Sequence, residues 1–544
     1  MNRDEGKLPV KWLLAIALLL AFCGKLYLLN LRSTYIDPDE AYYLTLARNI
    51  YEGRGFTFNG LTHVHYPPFL PIVVGALNLI LGNIVLSLNA LTALAGCLLG
   101  LVCYAMVKRR NSSEFALCAA LLVLTAYQLN AFFPRLVPYT AILYRGSDIV
   151  GCLLVYTGLL FTLKLADSGS CGHGLVAGLA YASAYLTRPE GLIIYSCAFL
   201  FLVYRLYGNR SVSPKGLIAF LLGFALLAIP YFLFLHSVFG CWRLTGKTEA
   251  HLFSKTMPIV IEKDDWKPFS KVHYAFDKKR LEMSSSFWGF ISQAPPLFLV
   301  PQTESIKASL RSFWCVPSTL LTPALYLLLP FGLFVAWQRW KKKEKSDDLL
   351  FLALPFTSAV IFVATYPVPR HHLFWVPASL LYSLEGVKYL CGKAEARGMD
   401  FKRMAFLLGV LLLVSSWYDY SQAWRANLLL EPSFRQFHET TAQIGKFLQS
   451  RNKGPIMSRL ADVAVRAETD WQVRPDVDMP TLLRFARKKG VRYIEMPIPI
   501  KPGRAVIEVE KSAKLKDGEP WQMVQVKTKE PFALVRVLSK QNSR

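Results

Sequence analysis

Just past the first membrane-length apolar run, the chain reads Asp37-Pro38-Asp39-Glu40. Carboxylates this close to a bilayer surface are costly to desolvate and need a reason to be there. Helix capping supplies one for two of them. Asp37 as N-cap, Pro38 at the first helical position and Glu40 three residues on form a capping box, and Gly53 and Gly55 close the helix. Asp39 is left without a required structural job, and removal of a proton is the chemistry open to it. Cations that would complement it stand elsewhere. Arg145, Arg188 and Arg370 sit in short turns between apolar runs, the last followed by His371 and His372. Each alone reads as a headgroup contact or a snorkelling side chain. Gathered opposite a carboxylate, they suit a reaction in which a phosphate leaves and a hydroxyl proton is removed. Asp148 begins an apolar run, where N-capping explains it, with Arg145 as a partner nearby in sequence. His63 and His65 with a carboxylate would offer a divalent ion a partial ligand set, without a third ligand at fixed spacing. No cofactor is required by the sequence, and a metal stays an option. Tyr35, Tyr42, Tyr43, Tyr51 and Tyr66 crowd the same segment as interfacial belt residues, some placed to stack on a sugar.

These residues must be held by membrane helices. Apolar runs near the length of a bilayer crossing recur at about 11–30, 84–107, 115–133, 149–166, 173–187, 190–207, 216–236, 317–338, 349–366, 373–391 and 404–419, which predicts a polytopic α-helical bundle of about 11 spans. Basic clusters at Lys108-Arg109-Arg110, Arg205 to Lys215, Arg339 to Lys345 and Lys388 to Arg403 all fall on one side of that topology. That side is expected to be cytoplasmic and to hold the N-terminus. The opposite face then carries a first outer loop at 31–83, a long outer loop at 237–316, the turns bearing the three arginines, and everything after 420. The apolar piece 69–82 fits the charge pattern better if it does not cross. The stretch 173–207 is expected to be a tight helical hairpin, because Arg188-Pro189-Glu190-Gly191 in its middle keeps Arg and Glu out of hydrocarbon.

The 53% hydrophobic content and the repeated apolar runs exclude an ordinary soluble protein of 544 residues. The formal charge of +25 suits anionic headgroups or phosphate-bearing substrates better than nucleic acid in a membrane setting. Ten cysteines are scattered without a metal spacing, and only Cys241 with Cys315, in one long loop, suggests a pair. The chain divides into a membrane unit at 1–419 and a polar tail at 420–544. In the tail, helical patterns at 433–450 and 480–489 and strand-like runs at Val491–Glu495, Trp521–Val526 and Ala533–Val537 predict a small α/β extracytoplasmic domain.

The motifs resemble those of the GT-C glycosyltransferases, in particular the family 39-like group that includes protein O-mannosyltransferases and lipid A aminoarabinose transferases. Asp39-Glu40-Ala41-Tyr42-Tyr43 running on to Gly53-Arg54-Gly55 resembles that group's first outer loop, and Tyr66-Pro67-Pro68-Phe69 its Pro-Pro-Leu segment. Gly178 through Thr187-Arg188-Pro189-Glu190-Gly191, and Pro369-Arg370-His371-His372 leading to Pro377, are similar to its later motifs. The resemblance implies a GT-C-like bundle and inverting sugar transfer from a polyprenyl-phosphate donor on the outer face. It implies Asp39 as general base, Glu40 orienting the acceptor, and Arg188 and Arg370 at the departing phosphate, which a planar guanidinium grips with two bonds. Tyr66 replaces the lysine usual before Pro-Pro in the aminoarabinose branch and removes a phosphate cation there. The acceptor stays open among a glycolipid, a cell-wall glycan and a protein. The competing class is a transporter or flippase of an anionic or lipid-linked substrate, which should put charges at the midplane and show related halves. An inactive scaffold of the same fold is the third. Asn-x-Ser sequons at Asn111 and Asn209 on the expected cytoplasmic side, and no endoplasmic-reticulum retention tail, lean toward a plasma (bacterial inner) membrane.

Overall fold

The structure, a computed structural model, describes residues 9–31, 36, 38–58, 61–125, 146–208, 212–246, 323–341, 347–351, 354, 374–397, 442–449, 454–458, 462–473, 486, 490–497, 521–525 and 532–537. Composition dictates the first half. The apolar run after Pro9 becomes α1 (Val10–Leu31). Pro38 then starts α2 (Pro38–Tyr51), a mixed polar and apolar helix. A two-stranded hairpin, β1 (Thr57–Phe58) with β2 (Leu61–Thr62), turns the chain back. The 69–82 piece is a short apolar helix, α3 (Phe69–Leu81), ended by Gly82 in the left-handed conformation.

Next come α4 (Ile84–Lys108), α5 (Ser113–Thr125), α6 (Ser147–Ser168), α7 (Cys171–Tyr185), α8 (Gly191–Gly208) and α9 (Pro214–Phe239). The expected hairpin at 173–207 is therefore present as α7 and α8. Among the described residues five helices are long and apolar enough to cross a membrane: α1, α4, α6, α8 and α9. Later helices are α10 (Pro323–Lys341) and α11 (Val376–Glu395), while the expected spans 349–366 and 404–419 lie largely or wholly outside the described residues.

Small residues let helices touch backbone to backbone. A Cβ added at Gly174 would stand 2.3 Å from the carbonyl of Gly216, and one at Gly178 would stand 2.2 Å from that of Phe220. The α7–α9 seam thus has no room for any side chain. α10 and α11 meet the same way, with Gly386 against the Leu328 carbonyl.

The tail holds helix α12 (442–449), β3 (Ile456–Ser458), α13 (Asp462–Arg466), β4 (Trp471–Val473), β5 (Tyr493–Pro497), β6 (Trp521–Gln525) and β7 (Phe532–Val537). The strands form one mixed sheet in the order β4-β3-β5-β7-β6. β3 pairs parallel with both β4 and β5, and β7 pairs antiparallel with both β5 and β6. This unit sits on α2. Arg48 faces Asp470 at 3.7 Å, and the Tyr42 and Trp471 rings lie 5.7 Å apart. Cys241 carries a free thiol that accepts from Arg243 Nε at 3.3 Å, and Cys315, its suggested partner, lies outside the described residues.

Candidate active site

Asp39 stands in the first turn of α2, and the returning hairpin aims a phenol at it. The Tyr66 hydroxyl donates to Asp39 Oδ1 at 2.7 Å. Three local contacts fix Tyr66. Its backbone N–H donates to His63 Nε2 at 3.0 Å, its ring stacks on His63 at 5.7 Å, and its ring centroid lies 4.8 Å from that of Tyr43. Two residues of proline later, the Phe69 N–H donates to the Leu186 carbonyl at 3.0 Å. The same short loop is thereby tied to α2 on one side and to the α7–α8 turn on the other.

That turn presents Arg188, which is 5% exposed. Its Nη1 pairs with Asp148 at the start of α6, and its Nη2 lies 3.2 Å from Glu190 Oε1. Gly151 on α6 makes space for the arginine stem: a Cβ there would be 3.3 Å from Arg188 Cδ and 3.7 Å from Phe374 Cζ. Phe374 stands four residues after Arg370, and its carbonyl accepts from the Tyr156 hydroxyl at 2.9 Å.

Tyr43 connects the two halves. Ser147 is a hydrogen-bond partner of its phenol, and the charges of Asp39, Asp148 and Arg188 all act on it. Burial, with the Asp39 charge next, pushes this phenol well above the usual tyrosine range, so it stays neutral. The cluster of Asp39, Tyr43, Tyr66, Ser147, Asp148, Arg188 and Glu190 therefore brings together a positioned carboxylate, hydroxyl donors and one guanidinium. Such a set can take a proton and hold a charged oxygen group.

Several sequence expectations change here. Asp148 is not the N-cap of α6, since Gly146 takes that position with φ 106° and Asp148 pairs with Arg188 instead. Tyr42, Tyr43 and Tyr66 are buried packing and hydrogen-bonding residues rather than belt residues, because the returning hairpin encloses them; Tyr51 is exposed. Tyr66 is a partner of the carboxylate and not merely a missing cation. Arg188 and Glu190, expected to avoid hydrocarbon in a tight hairpin, stand buried in its turn and paired with each other.

His63 is unsuited to a metal, because its Nε2 already accepts the Tyr66 N–H and burial holds its imidazole down at about 3. His65 is buried beside the Tyr66 ring, centroids 4.7 Å apart. Among the described residues no group of three His, Cys, Asp or Glu side chains is arranged for a metal ion. Glu40 is 2% exposed within the first turn of α2. Asp37, Tyr35, Arg145, Arg370 and His371 lie outside the described residues. Ser147 and Glu190 were missed as site members. The Arg-Pro-Glu spacing in one tight turn was the available signal for Glu190, and Ser147 offered none beyond adjoining Asp148.

The arrangement has counterparts among known proteins. The family described as dolichyl-phosphate-mannose-protein mannosyltransferase matches residues 65–234. A comparison with curated protein sequences finds no match. Among solved structures, the oligosaccharyltransferase of Archaeoglobus fulgidus is similar at 14% identity and a TM-score of 0.57, covering 91% of this chain and 70% of that one. The same organism's AglB in complex with an inhibitory peptide and a dolichol-phosphate gives 14% and 0.54, over 90% and 70%. ArnT from Cupriavidus metallidurans bound to undecaprenyl phosphate gives 15% and 0.53, over 98% and 99%. The chain has the GT-C fold, a multi-pass helical membrane bundle, as the residue motifs implied.

Proposed function

We propose that the protein is an inverting glycosyltransferase that moves a sugar from a polyprenyl-phosphate donor to an envelope acceptor at the outer face of the membrane. The observation that carries this reading is the Asp39 carboxylate, held by the Tyr66 hydroxyl at 2.7 Å beside the Arg188 turn. In the reaction, Asp39 takes the proton of an acceptor hydroxyl as that oxygen bonds to the anomeric carbon. The bond from that carbon to the phosphate oxygen breaks, its electron pair leaves on the lipid phosphate, and the anomeric configuration inverts. The Tyr66 hydroxyl, donating to Oδ1, helps to fix the orientation of the carboxylate.

Arg188 stabilises the phosphate by exchanging a carboxylate partner for a phosphate oxygen, with Asp148 and Glu190 fixing its fork beforehand. Arg370 and His371 are proposed as further phosphate contacts and Arg145 as a headgroup contact. Glu40 and His65 are assigned to acceptor orientation. In this reading the N-terminus is cytoplasmic, the sheet domain extracytoplasmic, and the partners are the bilayer, the lipid-linked donor and a glycan, glycolipid or protein acceptor. The matched mannosyltransferase family and the lipid phosphates named with AglB and ArnT support such a donor.

The test is transfer from a defined polyprenyl-phosphate sugar by purified protein in lipid. Asp39→Asn is expected to fold, insert and lose ~10²–10⁴ in rate. Near wild-type transfer by that variant would move the base elsewhere. Lipid-linked substrate crossing the bilayer without bond cleavage would replace the transferase with a flippase.

A further inference from the structure

Behind α2, on the side away from Asp39, lies a cavity of about 540 Å³. Its walls are α2, the α3–α4 turn, α12 and α13 with the turn after it. The volume falls within the ~300–1,000 Å³ of small-molecule sites. Arg48 lines it, nine residues after Asp39, which at ~3.6 residues per turn puts the two on opposite sides of one helix.

Arg48 is only 7% exposed, yet its Nε and Nη2 have no hydrogen-bond partner, and the Asp470 carboxylate is 3.7 Å away. Across the cavity the buried Oδ1 of Asn78 also lacks a donor. Unmet buried groups of both kinds are costly unless something fills them. Whatever does so must accept from a guanidinium and donate to an amide oxygen. An anionic oxygen does the first and a hydroxyl the second. Lys446 and Arg466 add positive charge from the opposite wall, against Glu52 and Glu468, and Glu52 is already paired with Arg54.

We propose that this cavity binds an anionic saccharide, a sugar carrying a phosphate or carboxylate, at a site distinct from the one around Asp39. Its seat bridges the membrane unit and the sheet domain. The proposal does not need the transferase reading, because binding is measured without turnover.

The experiment uses full-length protein in phosphatidylcholine nanodiscs, titrated with glucose 6-phosphate, glucose and inorganic phosphate by saturation-transfer NMR and calorimetry. Saturable binding of glucose 6-phosphate is expected, with glucose and phosphate each at least about tenfold weaker. Arg48→Gln should weaken it by about tenfold or more, as expected for loss of charge-assisted hydrogen bonds. Lys446→Gln, at an exposed position that leaves folding intact, should weaken it severalfold. Equal binding of inorganic phosphate, no saturable binding of glucose 6-phosphate, or affinity untouched by Lys446→Gln would each overturn the proposal. So would displacement of the sugar by phosphatidylglycerol added to the disc, which would make the site one for lipid headgroups.

Discussion

The two ends of the bundle hold very different polar clusters. At the end away from Asp39, three arginines meet four carboxylates drawn from separate segments. Arg109 pairs with Asp167 and lies 3.8 Å from Asp347, and Arg110 pairs with Asp347. Arg339 reaches Asp348 at 3.3 Å and Glu385 at 3.7 Å. The Tyr382 hydroxyl and Lys388 extend the net to Asp348 and Asn111. The adjoining cavity is only about 80 Å³. At the Asp39 end, the buried Arg188 guanidinium is paired with Asp148 and Glu190, and a phenol donates to Asp39. A carboxylate matched to cations clamps helices together. A carboxylate to which a phenol donates is held in one orientation, as a general base must be.

That contrast can be broken experimentally. The largest effect should separate Asp39→Asn from Asp347→Asn. The first is expected to lose ~10²–10⁴ in transfer rate with little change in thermal stability. The second should keep turnover per folded molecule but destabilise, since breaking a buried pair costs ~3–5 kcal/mol. Unfolding scans and initial rates on both variants decide it, and equal loss of activity would erase the distinction between the ends. Arg188→Gln comes next. It leaves Asp148 and Glu190 without their cation, so donor KM should rise by about tenfold or more and stability should fall with it. Unchanged donor KM would take Arg188 out of phosphate binding.

Tyr66→Phe removes one hydrogen bond to a charged group, worth ~1.5–3 kcal/mol. Its expected signature is lower kcat with donor affinity preserved; a variant as fast as the parent would leave Tyr66 only a packing role. The effect smallest at neutral pH is acid sensitivity through His63. Burial holds its imidazole at about 3, against ~6.5 for an exposed ring. The unfolded chain therefore binds the proton first as pH falls. Stability from this group is whole above about 6.5 and lost progressively toward 3. His63→Gln should flatten that slope in denaturation at a series of pH values.

Much of the bundle was legible because hydrocarbon thickness is written directly in apolar run length. Expected spans such as 84–107 and 149–166 reappear as Ile84–Lys108 and Ser147–Ser168. The meeting of Asp39 with Tyr66 was not legible, since the two stand 27 residues apart and meet only because the hairpin after α2 folds the chain back. The Gly146 cap was hidden for a similar reason: nothing local says that Asp148 prefers an arginine in the distant α7–α8 turn. In the tail, strands near Val491, Trp521 and Ala533 were visible from their β-branched and aromatic runs. The three-residue strands β3 and β4 were too short to show a period. The cavity behind α2 needed both units in place before it existed at all.

The glycine seam between α7 and α9 has one further consequence. With carbonyls lying where side chains would be, these two helices pack backbone to backbone, and a side chain added at Gly174 or Gly178 would force them apart. The Arg188 turn at the end of α7 is therefore carried by a closely packed helix pair. Enlarging Gly178 would disturb the mounting of that arginine from well down the helix, acting at a distance through backbone position alone.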